Sequence, residues 1–254
     1  MQVEIATLTR QGGRDYNEDC VGQQHDDRYL VCLVADGAGG HGGGDVAAAI
    51  VRDSLLEGFF AAPGTSDELL RRLVLQANRR VVERQQAGGR LAQMRSTVVL
   101  AVLDLLEDRM RWVHSGDSRA YLFRGGAVVA RTSDHSLVQQ MVDSGMLGDE
   151  QARLHPQRNV LLSALGAAGN QLEISVSEPM RLQPGDAVLL CSDGVWEVLG
   201  DEGVADALQA AGSARQWAAA IDHTVAGCGK PGQDNYSAFL LWVHAESDAP
   251  TQLL

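Results

Sequence analysis

Acidic residues recur in this sequence where strand-like apolar runs meet glycine-containing or polar turns. They are Glu18 and Asp19 in NED, Asp36 in DGAGGHGGGD, Asp117 in SGDSR, Asp193 in CSDGVW and Asp234 in GQDN. Each one alone is explained equally well by a turn, because Asp-Gly is a common turn pair. Five such acidic sites between strands are a much less likely accident, since loops on a rigid scaffold are where side chains from distant segments converge. The pattern therefore predicts a shared carboxylate site.

Carboxylates gathered without His or Cys companions favour Mg²⁺ or Mn²⁺ over zinc, because carboxylate oxygens are hard ligands. Two ions bridged by one carboxylate would lie about 3.5 to 4 Å apart and could hold a hydroxide for in-line attack on phosphorus. Arg14, four residues before Glu18, adds a guanidinium that can bind phosphoryl oxygens through paired hydrogen bonds. The residues thus indicate metal-dependent chemistry on a phosphoryl group.

Other phosphoryl chemistries are excluded by the motifs they require. The residues six positions after the four cysteines (Cys20, Cys32, Cys191 and Cys228) are Asp26, Ala38, Glu197 and Asp234, so C-x5-R does not occur. D-x-D is absent, and Gly229-Lys230 is followed by Pro231, which excludes a P-loop. The cysteines also form no C-x-x-C pair, which predicts free thiols in a reducing cytosol.

The charge balance argues against polyanionic partners. The 254-residue chain has 21 Lys and Arg against 33 Asp and Glu, a formal net charge of −12, whereas nucleic-acid and acidic-membrane surfaces need clustered cations. The first residues, MQVEIATLTR, lack a basic-then-apolar order, and no run of about 18 apolar residues occurs. We therefore expect a soluble, cytoplasmic protein without membrane insertion.

Strand and helix patterns alternate in blocks. Strands are predicted at Tyr29 to Ala35, Thr97 to Leu103, Met110 to His114, Ala120 to Phe123, Ala127 to Ala130, Val188 to Cys191 and Ser237 to Val243. Helices are predicted after Asp45, after Ser66 (with Leu70, Val74, Ala77 and Val81 at helical spacing), and at Leu137 to Asp143, Gly203 to Ala210 and Arg215 to Val225. Short connections such as RGG suit hairpins. The order is not a strict βαβα alternation and indicates an α+β fold of antiparallel sheets with helices on their outer faces.

Eight motifs in order resemble those of one known family. They are RDYNED (14–19), VADGAGGHGGGD (34–45), STVVLAVL (96–103), VHSGDSRAYLFRGG (113–126), TSDHSLVQQMVDSGML (132–147), HPQRNVLLSALG (155–166), LLCSDGVWEVL (189–199) and GQDNYSAFLL (232–241). The chain resembles the metal-dependent protein phosphatases (PPM family) of type 2C, in particular the compact stand-alone bacterial serine/threonine phosphatases. The resemblance covers nearly the whole sequence.

The resemblance implies a four-layer α-β-β-α sandwich, in which two antiparallel sheets pack face to face and helices flank them. It implies one catalytic domain over residues 1–254, with its core at about 6–243 and a frayed tail at 244–254. Residues 137–162 correspond to a small flap beside the active-site cleft, which is expected to shape substrate choice. A plain surface connection is the alternative for this segment.

The resemblance also implies a role for each acidic residue in holding two Mn²⁺ or Mg²⁺ ions. Asp36 would bridge both ions, and Gly37 would offer its backbone carbonyl to one of them. Asp193 and Asp234 would hold the first ion. Glu18 would approach the second ion, largely through water.

The remaining roles concern water, a third ion and the phosphate. Asp19 would orient water, and Asp117 together with Asp193 would hold a third, weaker ion that Glu197 would support. Arg14 would bind the phosphate oxygens. The implied reaction is direct attack of a metal-bridging hydroxide on phosphoserine or phosphothreonine without a covalent intermediate.

One position departs from many eukaryotic relatives, which place a histidine two residues after the bridging aspartate. That position is Ala38 here, and His41 lies five residues after Asp36. We hypothesise that His41, or a water molecule, protonates the leaving oxygen; the alternative for His41 is a loop residue that contacts substrate or solvent. His135 and His155 are interpreted as structural.

By the same resemblance the partners are phosphorylated proteins. We expect a monomer that opposes a eukaryotic-type bacterial Ser/Thr kinase and acts on that kinase, on forkhead-associated proteins, or on envelope and secretion machinery. Two alternatives are a catalytically silent phosphoprotein-binding module of the same fold and a phosphatase that regulates an anti-sigma-factor antagonist. The first would be expected to lose its ligands, and the second usually carries sensor domains.

Overall fold

The computed structural model describes residues 1–39, 42–167, 172–229 and 232–245, with the backbone alone at residues 149 and 150. The strands in these ranges are β1 (Gln2–Arg10), β2 (Asp19–His25), β3 (Tyr29–Ala38), β4 (Arg95–Ser96), β5 (Val98–Asp104), β6 (Arg109–Ser115), β7 (Arg119–Arg124), β8 (Ala127–Arg131), β9 (Ser175–Val176), β10 (Met180–Arg181), β11 (Ala187–Cys191) and β12 (Tyr236–His244). The helices are α1 (Gly44–Ala61), α2 (Asp67–Gln85), α3 (Leu137–Asp143), α4 (Asp149–Leu154), α5 (Asp193–Gln209) and α6 (Ala214–Gly227), and a 3-10 turn covers Gly89–Leu91.

The strands form two antiparallel sheets. The first is five-stranded in the order β1-β12-β11-β7-β8, and the second is seven-stranded along the path β10-β6-β5-β3-β2, with β4 paired to β3 and β9 to β6. The short connections behave as predicted, since β5 pairs with β6 and β7 pairs with β8. The two sheets account for all the predicted strands.

The central strands are buried on both faces, and successive residues pack alternately into the two neighbouring layers. Residues between the two sheets include Leu30, Cys32 and Val34 of β3 and Phe239, Leu241 and Val243 of β12. The intervening residues of β3 pack instead against α1 and α2, and the outer face of the first sheet packs against α5 and α6. Because successive side chains point to opposite faces, a strand buried on both faces reads as a continuous apolar run. The predicted four-layer sandwich is confirmed.

Helix α2 shows how the sequence sets an element's bounds. The Ser66 hydroxyl accepts a hydrogen bond from the Leu69 amide at 3.2 Å, and two acidic residues occupy the first turn. Side-chain caps of this kind satisfy amides that lack a partner within the helix. The predicted face is buried at Leu70, Val74, Ala77 and Val81.

Apart from the two-residue strands β4, β9 and β10, which were not predicted, four elements differ from the prediction. Strands β1 and β2 were not predicted, because their polar residues interrupt the alternating pattern. Helix α5 begins at Asp193 rather than at Gly203, and Gly200 within it has φ 63 and ψ 176, which kinks the helix and hides its first turns from a periodicity analysis. Helix α4 was also missed, since six residues are too few for a periodic signal.

The segment 137–162 consists of α3, α4 and their connections, with the apolar side chains of Met146 and Leu154 exposed. It contacts α5, because Arg158 Nε lies 3.2 Å from Glu197 Oε1 and the Arg153 guanidinium lies against Gly200. His244, predicted as the start of a frayed tail, is the last residue of β12. Residues 246–254 of that tail lie outside the described residues.

Two further observations concern the cysteines and the helices. All four cysteines are free; Cys32 and Cys191 are buried, whereas Cys20 and Cys228 are half-buried. Among the described residues, no helix is long and apolar enough to cross a bilayer.

Candidate active site

The predicted site residues that the structure describes lie at one end of the sandwich. Arg14 follows β1, Glu18 precedes β2, Asp19 begins β2, Asp36 lies near the end of β3, Asp117 lies between β6 and β7, Asp193 follows β11, and Asp234 precedes β12. Because neighbouring strands run antiparallel, the end of one strand lies beside the start of the next. Segments separated by more than 200 residues therefore meet there, with Arg14 and Asp234 in direct contact.

The register of the second sheet places Asp19 directly opposite Asp36. The backbone of Asp36 is fixed from the other side, since its amide donates to Thr97 Oγ1 at 3.2 Å and its carbonyl accepts from the Thr97 amide at 2.8 Å. The Thr97 and Ser118 hydroxyls are 2.7 Å apart, which ties Asp36 to the loop that carries Asp117. The two carboxylates are thus positioned by strand pairing rather than by a free loop.

Ser192 holds Asp19 and was not predicted as a site residue. Its hydroxyl donates to Asp19 Oδ2 at 2.7 Å and accepts from the Ser237 amide at 2.9 Å. The other carboxylate oxygen, Asp19 Oδ1, is buried without a hydrogen-bond partner. A buried carboxylate oxygen without a partner is costly, and it marks a place where a water molecule or a ligand is accommodated.

Asn235, also missed from the sequence, joins the first and last parts of the site. Its Nδ2 donates to the backbone carbonyls of Gln11 at 2.7 Å and Tyr16 at 3.1 Å, while its Oδ1 accepts from the Glu18 amide at 2.9 Å. The only sequence signal was an amide directly after Asp234. Asn235 therefore fixes the loop that carries Arg14 and Glu18.

Arg14 lies at the mouth of the site. Its Nη2 is 2.7 Å from Asp234 Oδ2, and the two side chains are 54% and 39% exposed. This pairing differs from the predicted role of Arg14 as a phosphate ligand, because here the guanidinium faces a carboxylate of the same chain. Because this ion pair is exposed, replacing the Asp234 carboxylate by a phosphate group as the partner of Arg14 costs little free energy.

The glycines of the stretch 36–45 allow the backbone to pack closely around Glu18. The Gly37 amide donates to the Glu18 carbonyl at 3.2 Å, and the Gly44 amide donates to Glu18 Oε1 at 2.9 Å. A Cβ on Gly37 would collide with the Gly44 carbonyl, and one on Gly44 would collide with the Glu18 carboxylate. His41 and Gly40 lie outside the described residues, so the role predicted for His41 stays a prediction.

The carboxylates raise one another's pKa values. The pKa of Asp36 lies well above its usual 3.8, first because burial removes water and then because Asp193 and Asp19 repel its charge. Burial likewise raises the pKa of Asp193, followed by repulsion from Asp117 and Asp234. Mutual shifts of this kind occur when like charges share a poorly hydrated site. The five aspartates therefore form one electrostatic unit.

Three more carboxyl groups of the site have raised pKa values. Burial raises the pKa of Asp19 to about 6, against the hydrogen bond from Ser192, and raises the pKa of Asp117 to about 7, with added repulsion from Asp134. Burial also raises the pKa of Glu18, against the hydrogen bond from the Gly44 amide. Raised values concentrated in one place are typical of functional sites.

A cation-aromatic stack supports the loop of Asp117. The Trp196 indole donates to the Asp117 carbonyl at 2.9 Å. The Arg119 guanidinium lies 3.5 Å from the centre of the Trp196 ring and forms two hydrogen bonds to Asp134, of 2.8 and 2.7 Å. Because Trp196 is in the first turns of α5, this stack links Asp117 to the helix that begins at Asp193.

The residues fit a divalent cation by their chemistry. The side chains of the site offer carboxylate oxygens as ligands, and these carboxylates repel one another. One buried oxygen of Asp19 has no hydrogen-bond partner. All three features favour a hard cation. Within the described ranges, however, no three His, Cys, Asp or Glu side chains are grouped so that they could hold an ion as they stand. As they stand, Asp234 accepts from Arg14, Asp19 from Ser192 and Glu18 from the Gly44 amide, each through one carboxylate oxygen.

The two histidines interpreted as structural do make structural contacts. His135 Nδ1 accepts from the Gly116 amide at 3.3 Å, and its Nε2 lies 2.9 Å from Ser175 Oγ. His135 also stacks on His114, with ring centres 4.5 Å apart. His155 Nδ1 accepts from the Gln157 amide at 3.2 Å.

Comparisons with known proteins agree with this geometry. A family model described as protein phosphatase 2C matches residues 10–230. The chain is 32% identical over 202 residues to the serine/threonine phosphatase stp of Listeria welshimeri, and the matched region covers 77% of this chain and 79% of that protein. The structure of serine/threonine phosphatase Stp1 from Staphylococcus aureus superposes with a TM-score of 0.86 at 26% identity, covering 96% of each chain.

A further solved structure is the catalytic domain of the serine/threonine protein phosphatase PstP in complex with 2 manganese ions. It superposes with a TM-score of 0.80 at 28% identity and covers 96% of this chain and 99% of that one. The shared fold and the family match together identify the chain. It belongs to the protein phosphatase 2C (PPM) family and is a serine/threonine protein phosphatase.

Proposed function

We propose that this phosphatase hydrolyses phosphoserine and phosphothreonine in a reaction that requires divalent metal ions held by Asp36, Asp193 and Asp234. The observation that carries the proposal is the cluster of aspartates at one end of the sandwich, where burial and neighbouring carboxylates raise the pKa values of Asp36 and Asp193. Clustered negative charge opposes the approach of a phosphate dianion. Cations are needed to reverse that repulsion.

The ions are Mn²⁺ or Mg²⁺, two in the central site and a third near Asp117 and Glu197. Asp36 and the Gly37 carbonyl would contribute to the central pair together with Asp193, Asp234 and Glu18. When bound, such ions lower the pKa of water and neutralise charge on phosphoryl oxygens. The support from relatives is the PstP structure, which contains 2 manganese ions.

The chain's own residues would position the reactants. Arg14 would leave Asp234 and bind the phosphoryl oxygens through its planar guanidinium, which suits paired hydrogen bonds to phosphate. Asp19, held by Ser192, would accept a hydrogen bond from the attacking water and orient it. His41 is the proposed donor of a proton to the leaving serine or threonine oxygen. Water would attack phosphorus directly, so no covalent enzyme intermediate forms.

The cellular setting is part of the proposal. We propose a single catalytic domain over residues 1–254 that acts in the cytoplasm as a monomer and opposes a eukaryotic-type Ser/Thr kinase. That kinase and forkhead-associated proteins would be among its phosphoprotein substrates. The acidic net charge of −12 is consistent with protein substrates rather than nucleic acid.

The test combines activity with metal binding. Wild type, Asp193→Asn and Asp234→Asn are assayed on a phosphothreonine peptide with Mn²⁺, Mg²⁺ or EDTA, and Mn²⁺ binding is measured separately by calorimetry. We expect activity in either metal, none in EDTA, and a loss of more than about a hundredfold in both variants, since each removes a ligand charge.

The matched control is Asp53→Asn, which removes an exposed carboxylate paired with Arg52 on α1. It should keep wild-type turnover and Mn²⁺ affinity. Activity of the wild type in EDTA, or full Mn²⁺ binding by both site variants, would overturn the proposal.

A further inference from the structure

The side chains of Arg90 and Tyr16 both lie over Gly42, beside the candidate active site. The Arg90 Nη1 and Tyr16 hydroxyl atoms each lie 3.5 Å from the point where a Cβ on Gly42 would sit. Gly42 has φ +87 and is itself buried, so the two side chains cover a bare stretch of backbone. A cation and a hydroxyl thus share one small region.

The backbone holds Arg90 in this place. Arg90 lies in the 3-10 turn, where the Leu91 amide donates to the Gly88 carbonyl at 3.3 Å. A Cβ on Gly43, which has φ +120, would lie 2.9 Å from the Arg90 carbonyl, so the turn packs directly on Gly43. The next residue along the chain donates its amide to Glu18. Arg90 is therefore linked to Glu18 of the acidic site through Gly43 and Gly44.

Tyr16 is fixed to the same site from another direction. It lies between Arg14 and Glu18 in sequence, and its carbonyl accepts from Asn235 Nδ2 at 3.1 Å. Its side chain is 43% exposed. The Arg90–Tyr16 surface is thus continuous with the mouth where Arg14 lies.

The charges at this surface favour an anion from outside the chain. Arg90 is exposed, and its guanidinium has no hydrogen-bond or ion-pair partner in the part of the chain that the structure describes. Arg14, two residues before Tyr16, is already engaged with Asp234. A chain of net charge −12 repels acidic segments in general, so attraction of such a segment must come from local cations. The guanidinium fork matches carboxylate and phosphate alike.

We propose that Arg90, with Tyr16 as a second donor, determines substrate specificity by binding an anionic group close to the phosphorylated residue of the substrate. This inference rests on the proposed phosphatase function and names its substrate class. The preferred substrates carry a carboxylate or a second phosphate within a few residues of the phosphoserine or phosphothreonine. Arg90 does not touch the phosphoryl group that is hydrolysed.

The experiment measures kcat/KM with Mn²⁺ on matched phosphothreonine peptides. One set carries Ala at every neighbouring position, a second carries Glu at single positions from three before to three after, and a third carries phosphoserine there. Wild type, Arg90→Ala, Arg90→Glu and Tyr16→Phe are compared. Comparing the Glu and phosphoserine sets distinguishes the two sources of negative charge.

We expect wild type to prefer the best anionic peptide over the all-Ala peptide by about threefold to fivefold, the range of an exposed ion pair. Arg90→Ala should abolish that preference, Arg90→Glu should invert it, and Tyr16→Phe should reduce it. Turnover of the all-Ala peptide should stay at the wild-type rate in the Arg90 variants. The preference should also shrink with added salt, since exposed charges are screened.

Arg72→Ala is the matched control. Arg72 is exposed on α2 and lies about 20 Å along the helix from its end near Arg90. It should leave the preference intact. A preference that survives in Arg90→Ala, or a loss of all-Ala turnover in that variant, would overturn the inference. Hydrolysis of the all-Ala peptide by wild type tests the proposed function separately.

Discussion

Asp36 lies where repulsion among the carboxylates is concentrated. It faces Asp19 across the β2–β3 register, and its pKa is raised well above 3.8 by burial and by four neighbouring aspartates. Its ionised form therefore destabilises the folded chain unless a cation is present. Asp36→Asn keeps the shape of the side chain and removes the charge.

In EDTA at neutral pH we expect Asp36→Asn to raise the free energy of unfolding by about 1 kcal/mol or more, because each unit of raised pKa corresponds to about 1.4 kcal/mol. In saturating Mn²⁺ the order should reverse, since the variant loses a ligand. Urea denaturation in both conditions measures this. Asp53→Asn serves as the exposed control, and a destabilised Asp36→Asn in EDTA would contradict the argument.

The residues that carry charge were predictable, whereas those that hold them were not. Asp36, Asp117, Asp193 and Asp234 were found from the sequence because each interrupts apolar or glycine-rich surroundings. Ser192 and Asn235 have uncharged side chains, and they form hydrogen bonds with Asp19 and Glu18, which are distant from them in sequence. A serine or an asparagine in a loop is ordinary, and its partner becomes visible only when the chain is folded.

At the scale of elements, α5 joins the site to the segment 137–162. Gly200 kinks this helix with φ 63 and ψ 176, and a Cβ there would lie 2.9 Å from both terminal nitrogens of Arg153. Few residues besides glycine adopt such a backbone conformation. The contact of Arg153 with α5 therefore depends on one glycine.

We expect Gly200→Ala to lower the free energy of unfolding by about 1 to 3 kcal/mol, through backbone strain and collision with Arg153. Gly200→Ala combined with Arg153→Ala should recover only part of the loss, because the second change relieves the collision and leaves the strain. Urea titrations of both variants provide the measurement.

The control for this prediction is Gly227→Ala at the end of α6, where a Cβ would meet nothing within 4 Å and φ is not positive. It should be neutral or slightly stabilising. Equal losses at positions 200 and 227 would show that the conformation of Gly200 is not special.

Elements with a continuous apolar run or a regular apolar face were predicted closely. Elements that mix polar and apolar residues without a regular pattern were not. The run from Tyr29 predicted β3, and the capped, periodic pattern after Ser66 predicted α2. Strand β1 reads as QVEIATLTR, with partial burial at several positions. Its nine-residue pairing with β12 stabilises it, and such tertiary support leaves little trace in a local pattern.

At the scale of the whole molecule, two sets of buried groups give stability opposite dependences on pH. Burial lowers the pKa of His114 and of His135 to about 4, from the usual 6.5. As pH falls from 6.5 towards 4, the unfolded chain takes up protons that the folded chain refuses, so stability falls. Asp19 and Asp117, with pKa values of about 6 and about 7, retain protons in the folded state, so metal-free stability falls as pH rises from about 4 to about 7.

In EDTA these contributions oppose each other between about pH 4 and pH 6.5, so we expect His114→Gln to make stability fall more steeply as pH rises, and Asp117→Asn to make it fall less steeply. Each linked proton corresponds to a slope of about 1.4 kcal/mol per pH unit. Unfolding free energies of wild type and both variants between pH 4 and about pH 8 provide the measurement. Parallel profiles for all three proteins would contradict the assignment.

The layers of the molecule could be predicted from its sequence. The contact between site residues from distant parts of the chain could not. Strand blocks separated by helix pairs were sufficient to indicate antiparallel sheets with outer helices, and the family resemblance implied that there are two. The pairing order, with β12 between β1 and β11, is not encoded in any local pattern. Convergence of Arg14 with Asp234 depends on that order alone.

The position of β12 has a consequence for synthesis. Tyr236–His244 must insert between β1 and β11 to complete the first sheet, and Asp234 and Asn235 enter the site together with that strand. A nascent chain that has not yet released β12 from the ribosome holds β1 without its partner and Arg14 without its carboxylate. Pairings between such distant segments form late, because closing the intervening loop costs entropy first. The newly made enzyme therefore gains its active site only after β12 has left the ribosome and paired with β1 and β11.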